Sequence, residues 1–324
     1  MRHATTASEG SLGTLPSAIR TARPSSPDAL PRTLLTRSAP DTAEVERRRW
    51  MFRHPLVIRA THWVNALCLL VLLMSGLQIF NAHPALYWGK VSTFDAPLMS
   101  MAATDDDPPR GVTTILRHSF DTTGVLGSST AADGEPADRA FPSWATLPSD
   151  QDLTGGRSWH YLFAWIFVLN GAAYLLYGLL SGQLRYRVVP QRDQIRHFGA
   201  SVREHLTLRF PEGDEAKRYN VIQKLTYALV LFALLPVQVL AGLAMSPAMD
   251  AAWPWLLTLF DGRQSARTVH FVAAGLLLLF VIVHIALVVL SGFWNNMRGM
   301  LTGWFVIERR IESAAERETT GGEA

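Results

Sequence analysis

Four stretches of this chain carry no Asp, Glu, Lys or Arg: residues 60–89, 158–184, 225–249 and 268–297. They run for 30, 27, 25 and 30 residues, and a helix needs about 20 apolar residues to cross the hydrocarbon of a bilayer. Their centres read ALCLLVLLMSGLQIF, YLFAWIFVLNGAAYLLYGLL, LTYALVLFALLPVQVLAGLAM and FVAAGLLLLFVIVHIALVVL. Lipid cannot hydrogen-bond an exposed backbone, so each run is expected to be helical. Pro236 in the third run predicts a kink. A large soluble protein can bury one such helix, but four in one chain predict an all-α membrane protein, a four-helix transmembrane bundle. Its spans fall at about 60–80, 158–181, 224–246 and 268–291.

Composition sharpens this. Apolar residues make up 48% of the 324 positions and charged ones 18%, below the roughly 25% charge of soluble domains. The formal charge of +3 does not mark a nucleic-acid binder, because the basic residues gather at the edges of the uncharged runs. Cys68, the one cysteine, sits inside an apolar run. That excludes an internal disulfide, a cysteine zinc site, an iron–sulfur cluster and the C-x-x-C-H haem attachment.

The flanking charges predict the orientation. The 185–224 loop holds nine Lys/Arg against five acids, whereas 81–157 holds five against ten. Arg47, Arg48, Arg49, Arg53 and Arg59 precede the first span, and Arg298, Arg309 and Arg310 follow the fourth. By the positive-inside rule both termini and the 185–224 loop face the cytoplasm of a cell (inner) membrane. The acidic 81–157 segment and the short 250–267 loop then face outward. Residues 1–50 are rich in Ser, Thr, Ala, Pro and Arg without a secretory apolar core, and are expected to be a disordered tail. Met51, just before FRHPLV, is an alternative start. The functional domain is expected over 52–305, followed by a cytoplasmic tail at 306–324. The outer loop, 81–157, is long for a bare connection, and long loops are commonly functional.

Four of the ten histidines lie in spans: His62, His160, His270 and His284. An ionisable residue at membrane depth is costly and points to function, although a single one also suits a helix–helix hydrogen bond. Their depths separate the two readings. From His270 to His284 a helix rises roughly 21 Å and turns to within about 40° of its starting azimuth. Both side chains therefore leave one helix face, one near each membrane surface. His160 opens the second span and shares the outer level with His270; His62 opens the first and shares the inner level with His284. Two imidazole pairs facing across a bundle suit bis-histidine ligation of two b-type haems with no open iron position. Such sites carry electrons rather than bind oxygen.

Arginine precedes three of these histidines by three residues: Arg59, Arg157 and Arg267. Each would lie one turn nearer the surface, placed for a haem propionate, and an ordinary interfacial arginine explains each one singly. Gly76 and Gly171 follow His62 and His160 by 14 and 11 residues on the same faces. A missing side chain there would admit a flat macrocycle, and close helix packing explains them as well. His83 lies just outside the first span as an interfacial or partner contact, and His54, His118, His197 and His205 fall in polar stretches.

With His62, His160, His270 and His284 so arranged, the chain resembles the cytochrome b561 bacterial/Ni-hydrogenase superfamily over about 52–305. The stretches LMSGLQIFNAHPALYWG, Pro148-Ser149-Asp150-Gln151-Asp152-Leu153, RYNVIQKL and GRQSARTVHF are similar to its thiosulfate-reductase-type cytochrome b subunits. The resemblance implies one haem b on His62 and His284 and another on His160 and His270. It further implies a periplasmic molybdopterin oxidoreductase as partner and a quinone site near the inner haem. Here that site would be Arg218-Tyr219-Asn220-Val221-Ile222-Gln223-Lys224, where Asn220 and Gln223 can face one quinone carbonyl. Polar caps at a span's inner end would look the same.

The leading expectation is an electron-transfer subunit between a periplasmic oxidoreductase and the quinone pool of a respiratory chain. It has no catalytic residue of its own beyond these binding positions. A stand-alone quinone-linked oxidase, for instance of superoxide, would need an exposed outer haem, which the 77-residue outer segment disfavours. A non-redox membrane anchor would hold no haem, and the paired ligands argue against it.

Overall fold

The computed structural model describes residues 47–184 and 221–309. Among the described residues, four helical segments are long and apolar enough to cross a membrane: Leu56–Asn81, Leu153–Leu180, Lys224–Ala244 and Arg263–Leu290. The first, second and fourth are the continuous helices α1, α2 and α7. The third is α3 (Val221–Leu229), a π turn (Val230–Leu234) and α4 (Leu235–Ala244). The wide turn ends just before Pro236, whose missing N–H leaves the α ladder one bond short at that point. Leu67, Leu70, Leu162, Trp165, Leu169, Leu279 and Ile282 are all exposed, as suits side chains whose solvent is lipid. The chain is an integral membrane protein built mainly of helix.

The 81–157 segment, here called outer after its expected orientation, is folded, an addition to the all-α expectation. Strands β2 (Ala85–Leu86), β3 (Met99–Ala103), β4 (Gly111–Ile115) and β5 (His118–Asp121) form an antiparallel sheet, and β6 (Ser128–Thr130) pairs with β7 (Pro136–Asp138). Phe80, Leu86, Met101 and Ala140 form a small core with Phe271 packed against it. That core seats the sheet on the outer ends of α1 and α7. Asn81 accepts from the Phe141 backbone N–H at 2.8 Å. Arg139, 2% exposed, donates to the carbonyls of Phe141 and Ser149 and to Thr146 Oγ1. Burial lowers its pKa, which the nearby Asp150 charge opposes.

A strap then fixes the start of α7. The Gly89 carbonyl accepts from the N–H groups of Gln264 and Ser265, Gly89 N–H donates to Ser265 Oγ at 2.6 Å, and Thr268 Oγ1 donates to the Tyr87 carbonyl at 2.6 Å. Orphan donors of the first helical turn are satisfied in this way. A Cβ on Gly262 would lie 2.7 Å from the Gly89 oxygen, and its φ is 118°; both require glycine. Between the third and fourth spans lie two short helices, α5 (Pro247–Ala252) and α6 (Trp255–Leu259).

At the opposite end, β1 (Arg47–Phe52) pairs antiparallel with β8 (Trp304–Arg309), which follows helix α8 (Phe293–Thr302). Arg59 donates to the Leu301 carbonyl and Trp63 Nε1 to the Met300 carbonyl, satisfying the last turn of α8. The ribbon takes in Arg47–Phe52, whose first four residues fall in the expected N-terminal tail, and Trp304–Arg309, whose last four lie past the expected end of the domain at 305. Each strand's partner is more than two hundred residues away, so neither terminal stretch could disclose its pairing alone. The remainder of both expected tails lies outside the described residues.

Candidate haem-ligand site

The four intramembrane histidines meet as two pairs. His160 on α2 faces His270 on α7 with ring centres 6.1 Å apart, and His62 on α1 faces His284 on α7 at 6.3 Å. One helix, α7, thus supplies a member of each pair near opposite ends. A metal–imidazole bond of about 2 Å, with about 1.1 Å more to each ring centre, puts two axial imidazoles about 6.2 Å apart. Both separations fit an iron between the rings.

The surroundings of the outer pair also fit. Ser75 Oγ on α1 lies 3.0 Å from His160 Nδ1, and the Gln238 carbonyl on α4 lies 2.9 Å from His270 Nδ1. A ligating histidine typically donates its second ring N–H in this way, which fixes tautomer and orientation. The described part of the third span thus contributes no histidine to either pair, but its backbone holds His270. Gln238 Nε2 lies 3.1 Å from His270 Nε2, the nitrogen a metal would take, and Gln238 Oε1 is buried without a partner among the described residues. Two glycines make room for the rings. A Cβ on Gly76 would stand 3.4 Å from His160 Cε1, and one on Gly242 would stand 3.1 Å from His270 Cε1.

At the inner pair, His62 packs edge-on against Trp63, while Phe280 stacks on His284 at 6.0 Å and 19°. His62 Nδ1 is buried with no hydrogen-bond partner among the described residues. Between the two levels, Asn170 Nδ2 donates to Asn65 Oδ1 at 2.7 Å and to the Thr61 carbonyl at 2.9 Å, tying α2 to α1.

The three arginines have different settings. Arg59, bonded to Leu301, keeps a buried Nε without a partner among the described residues. Arg267 donates to the His83 carbonyl and lies over the Phe80 ring. Arg157 is exposed and reaches Tyr161, its guanidinium 5.8 Å from that ring. Gly171 has nothing within 4 Å of a would-be Cβ. Asn220 lies outside the described residues, and Gln223 falls in α3 without a described side chain. His83 stacks on Tyr87 at 5.7 Å, and burial together with the Arg267 charge lowers its pKa.

Sequence reasoning missed Ser75, Gln238 and Gly242. Gln238 did leave a trace, as the one amide in the uncharged run 225–249.

Residues 53–303 match the family model described as prokaryotic cytochrome b561. The chain belongs to that family. It is 26% identical over 237 residues to a protein of Azospira oryzae, covering 73% of this chain and 90% of that protein. The relative is named, provisionally, as protein-methionine-sulfoxide reductase subunit YedZ1. No solved structure matches the chain. Membership in the cytochrome b561 family makes this a b-type haem protein of the membrane, in keeping with the histidine pairs.

Proposed function

We propose that this cytochrome b561-family chain is a dihaem electron-transfer subunit linking a periplasmic oxidoreductase to the quinone pool across the inner membrane. The observation that carries the reading is the two facing imidazole pairs, 6.1 and 6.3 Å between ring centres, on α7 near its two ends. Bound there, b-type haems supply one-electron transfer through a span that a charge could not otherwise cross cheaply. His160 and His270 would hold the outer group and His62 and His284 the inner, with Arg59, Arg157 and Arg267 placed for propionates. The chain's task is to fix those rings: Ser75 and the Gln238 carbonyl orient the outer pair, and bulky neighbours shield the inner one.

The orientation we propose puts both termini in the cytoplasm, on the strength of nine Lys/Arg in 185–224 against ten acids in 81–157. The folded outer segment then offers a periplasmic partner a platform, and its strap and sheet cover the start of α7. That cover disfavours a stand-alone oxidase with an open outer haem edge. The name of the Azospira oryzae relative, a reductase subunit, favours a partner that carries its own substrate site. A molybdopterin enzyme suits that role.

The quinone end is proposed at Asn220 and Gln223, at the start of the third span, with Lys224 and Arg218 near a reduced quinone's developing charge. Asn220→Leu removes one amide and no ligand, at a loss of roughly 0.5–1.5 kcal/mol of binding. Reoxidation of the reduced protein by a quinone analogue should slow by about two- to tenfold at subsaturating quinone while both haem spectra persist. Unchanged rates in both Asn220→Leu and Gln223→Leu would remove quinone from this end.

A further inference from the structure

Ser75 is completely buried on α1, across the helix interface from His160. Its hydroxyl donates to the Val71 carbonyl at 2.6 Å. A hydroxyl has one proton, so with that proton committed the oxygen is left as an acceptor. His160 Nδ1, 3.0 Å away, is therefore the donor, and the ring's lone pair lies on Nε2. The carbonyl, hydroxyl and imidazole form a chain of hydrogen bonds in a low-dielectric setting, where each polarises the next. The Gln238 carbonyl does the same for His270 at 2.9 Å, but that acceptor is backbone. Ser75 is the member of the outer arrangement that a side-chain substitution can remove. His62 Nδ1 at the inner pair has no such partner among the described residues.

We propose that Ser75 is a positioning residue that fixes the tautomer and angle of His160 and thereby lowers the reduction potential of the outer haem. The proposal rests on His160 being an axial ligand. An acceptor at Nδ1–H shifts electron density toward Nε2, strengthens it as a donor to iron and stabilises the ferric state. Ser75→Ala leaves the iron-facing Nε2 in place, so the haem should stay bound and the change should appear in its potential.

The test is potentiometric titration of the purified full-length protein, as wild type, Ser75→Ala and Ser75→Thr, with the low-spin ferric EPR signals recorded alongside. In Ser75→Ala one midpoint should rise by about three- to tenfold in the reduction equilibrium, about 30–59 mV at 59 mV per tenfold for one electron. The other midpoint should hold, and the EPR signal of the affected haem should move with its potential. Ser75→Thr, which keeps the hydroxyl, should restore the wild-type values. Loss of one haem in the alanine variant but not in the threonine variant also upholds the role of the hydroxyl. Both midpoints unchanged in Ser75→Ala, or an equal shift or haem loss in both variants, overturns it. A failure of the underlying ligand assignment is read separately: His160→Ala would then keep both haems with unchanged spectra.

Discussion

His160→Ala and His270→Ala should each lose the outer haem and keep the inner one, while His62→Ala and His284→Ala should do the reverse. On the proposed ligation, each substitution removes one axial nitrogen from a bis-histidine site and leaves a cavity in its place, so the expected effect is loss of a cofactor rather than a change of rate. The grouping is the informative part. His270 and His284 share one helix, yet the ring distances join His270 to His160 and His284 to His62. Reduced-minus-oxidised spectra of the four variants should therefore fall into two classes, one per level. A grouping by helix, or full spectra in all four, would refute the pairing. Isolating the variants in detergent with lipid guards against general unfolding, because the surviving haem reports on the bundle.

Gly242→Leu should abolish the outer haem as effectively as loss of a ligand. The space a side chain would enter is held by His270, whose Cε1 and Nδ1 lie 3.1 and 3.4 Å from the would-be Cβ. Retreat of α4 is blocked, because Ala244 and Ala266 pack with Leu256 in a small buried cluster, and Ala241 on the same helix is itself fully buried. Overpacking of this kind costs about 1–3 kcal/mol, and here the yielding part is the His270 ring. The check is the haem content of the purified variant, expected to fall by the outer haem alone. Two intact haems in Gly242→Leu would mean that His270 takes a different position when the cofactor is bound.

The spans were legible because lipid imposes a rule on composition that no local context can override. The histidine pairs were legible because helix rise and twist convert sequence spacing into depth and azimuth, and His270 and His284 lie on one helix. What sequence could not supply was which face of one helix meets which face of another. Ser75 and Gly242 serve histidines on other helices, and nothing in their own neighbourhoods announces it. The reading of Gly76 shows the same limit. Its position on the His62 face was legible, whereas the His160 ring that lies against it comes from α2. The sheet of the outer segment escaped for another reason: its strands run two to five residues, too short for an alternating pattern to stand out. The ribbon of β1 and β8 joins the two ends of the domain, the longest-range pairing described, and local pattern carries no signal for it.

The central claim is that one chain holds two b-type haems between four histidines, and the most direct measurement is the haem count. A pyridine haemochrome assay against protein concentration on the purified chain should give two noncovalently bound b-type haems per polypeptide, both six-coordinate and low-spin when oxidised. One haem or none per chain, in protein purified under conditions that retain cofactor, would contradict the account.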